Sequence, residues 1–171
     1  MGTLLGIAFI MGGVAGYLCH WQGEQRKRRE RIAAFILFLQ KSRYTLETEN
    51  IKVTKLLENY QTKDSLLKET LCEISVRLNL NIYPNCLSAW EEVFREKEQN
   101  WNVDEETFGI MIHAGNGFFG KNRGENICFL QKSIRELEEQ EKNNREKDAQ
   151  ERKVWIPVGM LSGLMLVILL I

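Results

Sequence analysis

The chain has 171 residues, the length of one domain. Its 23 basic and 23 acidic residues cancel, which excludes the basic excess that a nucleic-acid surface needs. All of these charges fall between residues 23 and 153, so the mean hydropathy of -0.29 blends two apolar ends with a very polar middle.

Residues 1–21 read MGTLLGIAFIMGGVAGYLCHW and contain no charged side chain. A secretory leader carries positive charge before its apolar run and a small-residue cleavage site after it. Here the positive charge follows the run and no such site precedes the polar region, so the stretch reads as a retained transmembrane helix. Tyr17 and Trp21 lie at its polar end, where interfacial aromatics belong, and Trp155 holds the mirror position at the other end of the chain.

Arg26, Lys27, Arg28, Arg29 and Arg31 follow directly. Lys and Arg beside a span stay cytoplasmic, and acidic neighbours count for little. Lys142, Arg145, Lys147, Arg152 and Lys153 repeat the signal before the last segment. Both flanks therefore place residues 22–153 in the cytoplasm.

The middle is expected to be all-α. Ile32, Phe35, Ile36, Leu39, Leu46, Val53, Leu57 and Tyr60 recur at helical spacing, with a break near residues 48–50. Residues 62–64 signal a helix entry, and Leu67, Leu71, Ile74 and Leu78 form the next stripe. Residues 79–85, with Pro84, make a loop. Leu87, Trp90, Val93 and Phe94 predict a short helix, and residues 101–103 a connector. Asp104 is the next N-cap, with Glu105 and Glu106 favouring the helix start. Phe108, Met111, Ile112 and Phe118 give the following apolar face.

Residues 115–120 read GNGFFG, a literal G-x-G-x-x-G. That fingerprint needs a preceding strand, and no segment shows strand alternation, so the glycines read as a turn that lets helices pack closely. The last helix is expected to start near residues 122–125, with Ile127, Leu130, Ile134 and Leu137 on its seam. Residues 138–153 are then almost wholly charged or amide, a solvated stalk with opposite charges four apart.

Residues 154–171, VWIPVGMLSGLMLVILLI, carry no charge. At ~1.5 Å per residue this helix is roughly 27 Å long, enough to span a hydrocarbon core. Pro157 suits either a first helical turn or a kink. Gly2 with Gly6, Gly12 with Gly16, and Gly159 with Gly163 are four apart, the spacing that lets helix backbones approach in lipid. The segments can pack through them on each other, on partner helices or in a homo-oligomer.

No catalytic constellation is present. His20 and His113 belong to no ligand spacing, and the carboxylates lie in charge-alternating runs. Cys19, Cys72, Cys86 and Cys128 have no C-x-x-C spacing and are expected to be small buried residues. The expectation is no enzyme, no cofactor, no metal, no nucleic acid and no small-molecule substrate.

The chain resembles the stage III sporulation protein AB family over nearly its whole length. The likeness rests on Leu4-Leu5-Gly6 and the run from Gly12 to Tyr17, on Trp90, on Phe119-Gly120-Lys121-Asn122 with Glu125-Asn126, and most specifically on Leu161-Ser162-Gly163-Leu164 through Leu169-Leu170-Ile171. Where the family has Ser-Asp and then Gln after the glycine turn, this chain has Asn122 and Asn126. The resemblance implies a bundle similar to the cytoplasmic domain of the type II secretion and type IV pilus platform protein. It implies residence in the mother-cell membrane around the forespore. It also implies a channel of several proteins and a secretion-type ATPase as partner. Gly120, Lys121, Asn122 and Arg123 form the candidate partner loop, together with residues 79–85. The alternative is a membrane-anchored scaffold or regulator that binds a soluble cytosolic protein without motor coupling.

Overall fold

The computed structural model describes residues 2–49, 51–80, 83–120 and 122–170. It excludes the side chains of most of residues 1–22 and 151–171. Among the described residues, the regular structure is all helix, without a strand. In order, the helices are α1 (Gly2–Thr48), α2 (Val53–Asn59), α3 (Ser65–Asn79), α4 (Cys86–Glu96), α5 (Glu98–Trp101), α6 (Glu105–His113), α7 (Asn116–Phe119) and α8 (Arg123–Leu170).

The helix entry expected at residues 62–64 is built as the sequence implies, and the one expected at Asp104 differs in its side-chain bonding. Asp64 is extended at the N-cap of α3, and its carboxylate accepts from the Leu67 N–H at 2.7 Å. Asn85 caps α4 the same way, accepting from the Ser88 N–H at 2.7 Å. Asp104 sits at the N-cap of α6, its carbonyl accepting from the Phe108 N–H at 2.9 Å, but its side chain makes no cap bond to the helix backbone. Its carboxylate accepts instead from the Thr107 hydroxyl and, at 2.9 Å, from Arg28. Pro157 does not end α8, which continues to Leu170.

The chain divides into two compact units. One comprises Met1–Lys27 and Lys142–Ile171, the other Arg28–Glu141. Among the described residues, no helix is long and apolar enough to cross a membrane, so the flanking spans expected from the sequence get no support here.

The second unit is organised around aromatic rings. Phe35 meets Trp90, Phe94 and Trp101 at centroid distances of 6.4, 5.8 and 6.2 Å. Phe94 stacks on Trp101 at 5.6 Å, and Phe38 on Phe118 at 5.5 Å. Each such ring removes a large apolar area from water and adds specific edge or stacking geometry. The Trp90 indole N–H donates to the Met111 carbonyl at 3.3 Å. Trp101, expected in a connector, closes the one-turn α5 and is fully buried. Asn102 turns the chain with a left-handed φ of 50°.

The cysteine expectation is corrected. Cys72, Cys86 and Cys128 are free and exposed, because they lie on outward faces of α3, α4 and α8. Cys19 lies outside the described side chains.

Candidate docking surface

The inner face of α3 buries Leu67, Leu71 and Ile74 in the core. Its outer face carries Cys72, Val76 and Leu80, four residues apart, so they share one stripe. Val76 is 51% and Leu80 61% exposed. Leu80 continues the helical register, its N–H donating to the Val76 carbonyl at 3.1 Å. An open groove of about 480 Å³ runs along this face between Ser65, Lys68, Glu69, Cys72, Glu73 and Val76.

A charge cluster fixes α3 against α4 beside the stripe. Lys97 donates to Glu69 at 2.5 Å and contacts Glu73 at 2.9 Å. Arg77 donates to Glu73 at 2.5 Å, to the Tyr83 hydroxyl at 3.0 Å and to Glu96. The Lys97 hydrogen bond, followed in weight by opposing burial and by Arg77, holds the Glu73 carboxyl below its ordinary range. Burial alone would lower the Lys97 ammonium, but Glu69 and Glu73 outweigh it and raise it. Arg77 is held fully charged, chiefly by its hydrogen bond to Glu96. The stripe therefore rides on a helix joined to the end of α4 by paired charges.

The glycine run, expected as a turn, forms the one-turn α7 between Gly115 and Gly120, and its glycines allow close packing. A Cβ on Gly115 would stand 2.6 Å from Trp90 Cδ1, and one on Gly117 2.6 Å from Leu130 Cγ. One on Gly120 would meet Asn126 Oδ1 at 2.0 Å, while Asn126 Nδ2 donates to the Gly120 carbonyl at 3.2 Å. Asn122 Oδ1 accepts from the Gly124 N–H at 3.1 Å.

Arg123, although exposed, is engaged with the end of α1. Its Nε donates to the Leu46 carbonyl at 2.7 Å, and its Nη2 to the carbonyls of Glu47 at 3.0 Å and Glu49 at 3.4 Å. These groups close the end of α1, where helix carbonyls lack internal partners. Nothing in the sequence signals this pairing, because Arg123 is remote from α1 in the chain. In the candidate partner loop, Gly120, Asn122 and Arg123 thus all have structural tasks. Lys121 lies outside the described residues.

The basic run divides in the same way. Arg28 pairs with Asp104, and Arg31 donates to the carbonyls of Asn100 at 2.7 Å and Trp101 at 3.2 Å. Lys27 pairs with Glu24 at 3.2 Å. Arg26 precedes these basic residues, and Arg29 lies between Arg28 and Arg31 on α1. Among the described residues, nothing comes within 4 Å of a Cβ built on Gly16. The surroundings of Gly2, Gly6, Gly12, Gly159 and Gly163, and the side chains of Tyr17, Trp21 and Trp155, lie outside the described residues.

Comparison with known proteins gives one consistent family. The model of the family described as Stage III sporulation protein AB matches residues 3–171. A solved structure titled Stage III sporulation protein AB (SpoIIIAB) is similar with a TM-score of 0.61 and 10% identity, covering 70% of this chain and 94% of its own. That likeness speaks for the fold. No curated protein matches the chain.

Proposed function

The chain belongs to the stage III sporulation protein AB family and has a role in sporulation; from that premise we propose that it is a non-enzymatic membrane platform of a secretion-like channel between mother cell and forespore. In this reading the helical unit couples a cytosolic secretion-type ATPase to the membrane complex. The protein resides in the mother-cell membrane, with its middle in the cytoplasm.

The observation that carries the reading is the α3 stripe. Cys72, Val76 and Leu80 hold apolar surface in water on a helix already fixed by Arg77 and Lys97. An exposed, half-apolar face with a charged margin is suited to protein contact. The membrane part rests on the sequence: residues 1–21 and 154–171 are uncharged, and basic residues flank both on the inner side.

The test uses full-length protein in nanodiscs and a purified secretion-type ATPase. Val76→Ser with Leu80→Ser should weaken binding at least tenfold, while His113→Ser, at another exposed position, should leave it unchanged. Binding that ignores both changes would remove the α3 face from the platform reading.

A further inference from the structure

We propose that the groove along α3 takes an amphipathic helix of the partner protein, seated with a carboxylate of that helix against Lys68. The inference rests on the reading of α3 as the docking face and names what fits it. Lys68, Cys72, Val76 and Leu80 follow at four-residue intervals, so they form one row on the helix. All four are exposed. The open groove of about 480 Å³ follows the same row, lined by Ser65, Lys68, Glu69, Cys72, Glu73 and Val76.

The shape points to a helix. Rows of residues four apart are the ridges by which helices pack into one another's grooves. From Cys72 to Leu80 the row runs roughly 12 Å at ~1.5 Å per residue, about two turns of a facing helix. Among the described residues there is no strand, so this face offers no sheet edge to which an extended segment adds.

The charge points to a carboxylate. Three charged side chains line the groove: Lys68, Glu69 and Glu73. Both carboxylates are engaged inside the fold. Lys97 lies 2.5 Å from Glu69 and 2.9 Å from Glu73, and Arg77 lies 2.5 Å from Glu73. Lys68 has no acidic partner among the described residues. Asp64, one turn before it, turns its carboxylate to the Leu67 N–H at 2.7 Å instead. A docking protein therefore meets an apolar row with an uncompensated cation at one end. An acidic residue on the occupant neutralises that cation, and a charge-assisted hydrogen bond there fixes the register of the two helices. A basic residue in its place sets like charges together and is rejected.

The experiment is zero-length crosslinking of the full-length protein, in phosphatidylcholine nanodiscs, to a purified secretion-type ATPase. A carbodiimide joins the Lys68 amine to a carboxylate only where the two touch, taking up the lost water as a urea. Mass spectrometry of the digest locates the new amide. We expect Lys68 joined to an Asp or Glu of the ATPase, in a segment with apolar residues at spacings of three and four. Lys68 is exposed, so its substitution leaves the core intact. Lys68→Glu should weaken binding roughly tenfold, and changing the captured carboxylate to lysine should recover most of that loss. Lys132→Glu, at an exposed position on α8, should change binding by less than about twofold. Binding without a Lys68 crosslink, or binding indifferent to Lys68→Glu, overturns this inference and leaves the platform reading standing. Capture of a carboxylate in a segment without that apolar spacing overturns the helical occupant. No binding of the ATPase by the unaltered protein removes the platform reading and this inference with it.

Discussion

A Cβ placed on Gly115 would lie 2.6 Å from Cδ1 of Trp90, a side chain with no exposed surface. The indole cannot retreat, because Phe94 and Phe118 stand 4.7 and 5.4 Å from it. Gly115→Ala should therefore destabilise the protein by about 1–3 kcal/mol through overpacking. Gly109, inside α6 with open space around it, is the control. Gly109→Ala should stabilise by roughly 0.5–1 kcal/mol, the usual gain of alanine over glycine in a helix. Denaturant unfolding of both variants reads the two signs.

Arg123 should be required for the end of α1. Arg123→Glu removes donors from the Leu46, Glu47 and Glu49 carbonyls and sets a negative charge beside a helix C-terminus. We expect a loss of about 1–3 kcal/mol and faster hydrogen exchange confined to the last turn of α1 and to α2. Arg123→Lys should recover part of it. Unchanged exchange there would show that the cap is dispensable.

The cluster on α3 predicts a pH dependence. Glu73 has a lowered pKa, so its pairing stabilises the fold above the ordinary carboxyl value of 4.5 and is lost as pH falls below it. Glu73→Gln should be less stable than the parent at pH 7, and the gap should narrow as pH drops from 5 to 3. Lys97 has a raised pKa, so its contribution holds below its ordinary 10.5 and disappears at higher pH. Lys97→Met should cost about 1–3 kcal/mol at pH 7, with less difference above pH 11. Unfolding curves across pH test both limbs.

Trp101→Ala should cost about 3–5 kcal/mol, since a whole buried indole stacked on Phe94 is removed. Fluorescence-monitored unfolding is the direct check. A cost below 1 kcal/mol would place Trp101 outside the cooperative core.

Much of this core was legible in periodicity. Phe35, Ile36 and Leu39 fall on a stripe any helix reading finds, as do Leu67, Leu71 and Ile74. Phe38 escaped because α1 is buried over a wide arc, with Tyr60 and Phe118 covering a face that a single stripe leaves outside. Trp101 escaped because a four-residue helix shows no period, although an indole between polar neighbours is itself a sign of burial. The roles of Arg31 and Arg123 depend on backbone carbonyls distant in sequence, which no local pattern encodes. The Cys72–Val76–Leu80 stripe was not legible in the sequence. Those residues sit between core positions of one helix, and only the packing shows which face stays wet.

The most direct test of the platform account is crosslinking in sporulating cells, with a photo-reactive residue at Val76 of the full-length protein and, separately, at His113. The account predicts that the Val76 position captures a secretion-type ATPase and the His113 position does not. Capture of other membrane components from both positions, with no ATPase from either, would contradict motor coupling and leave a membrane scaffold in its place.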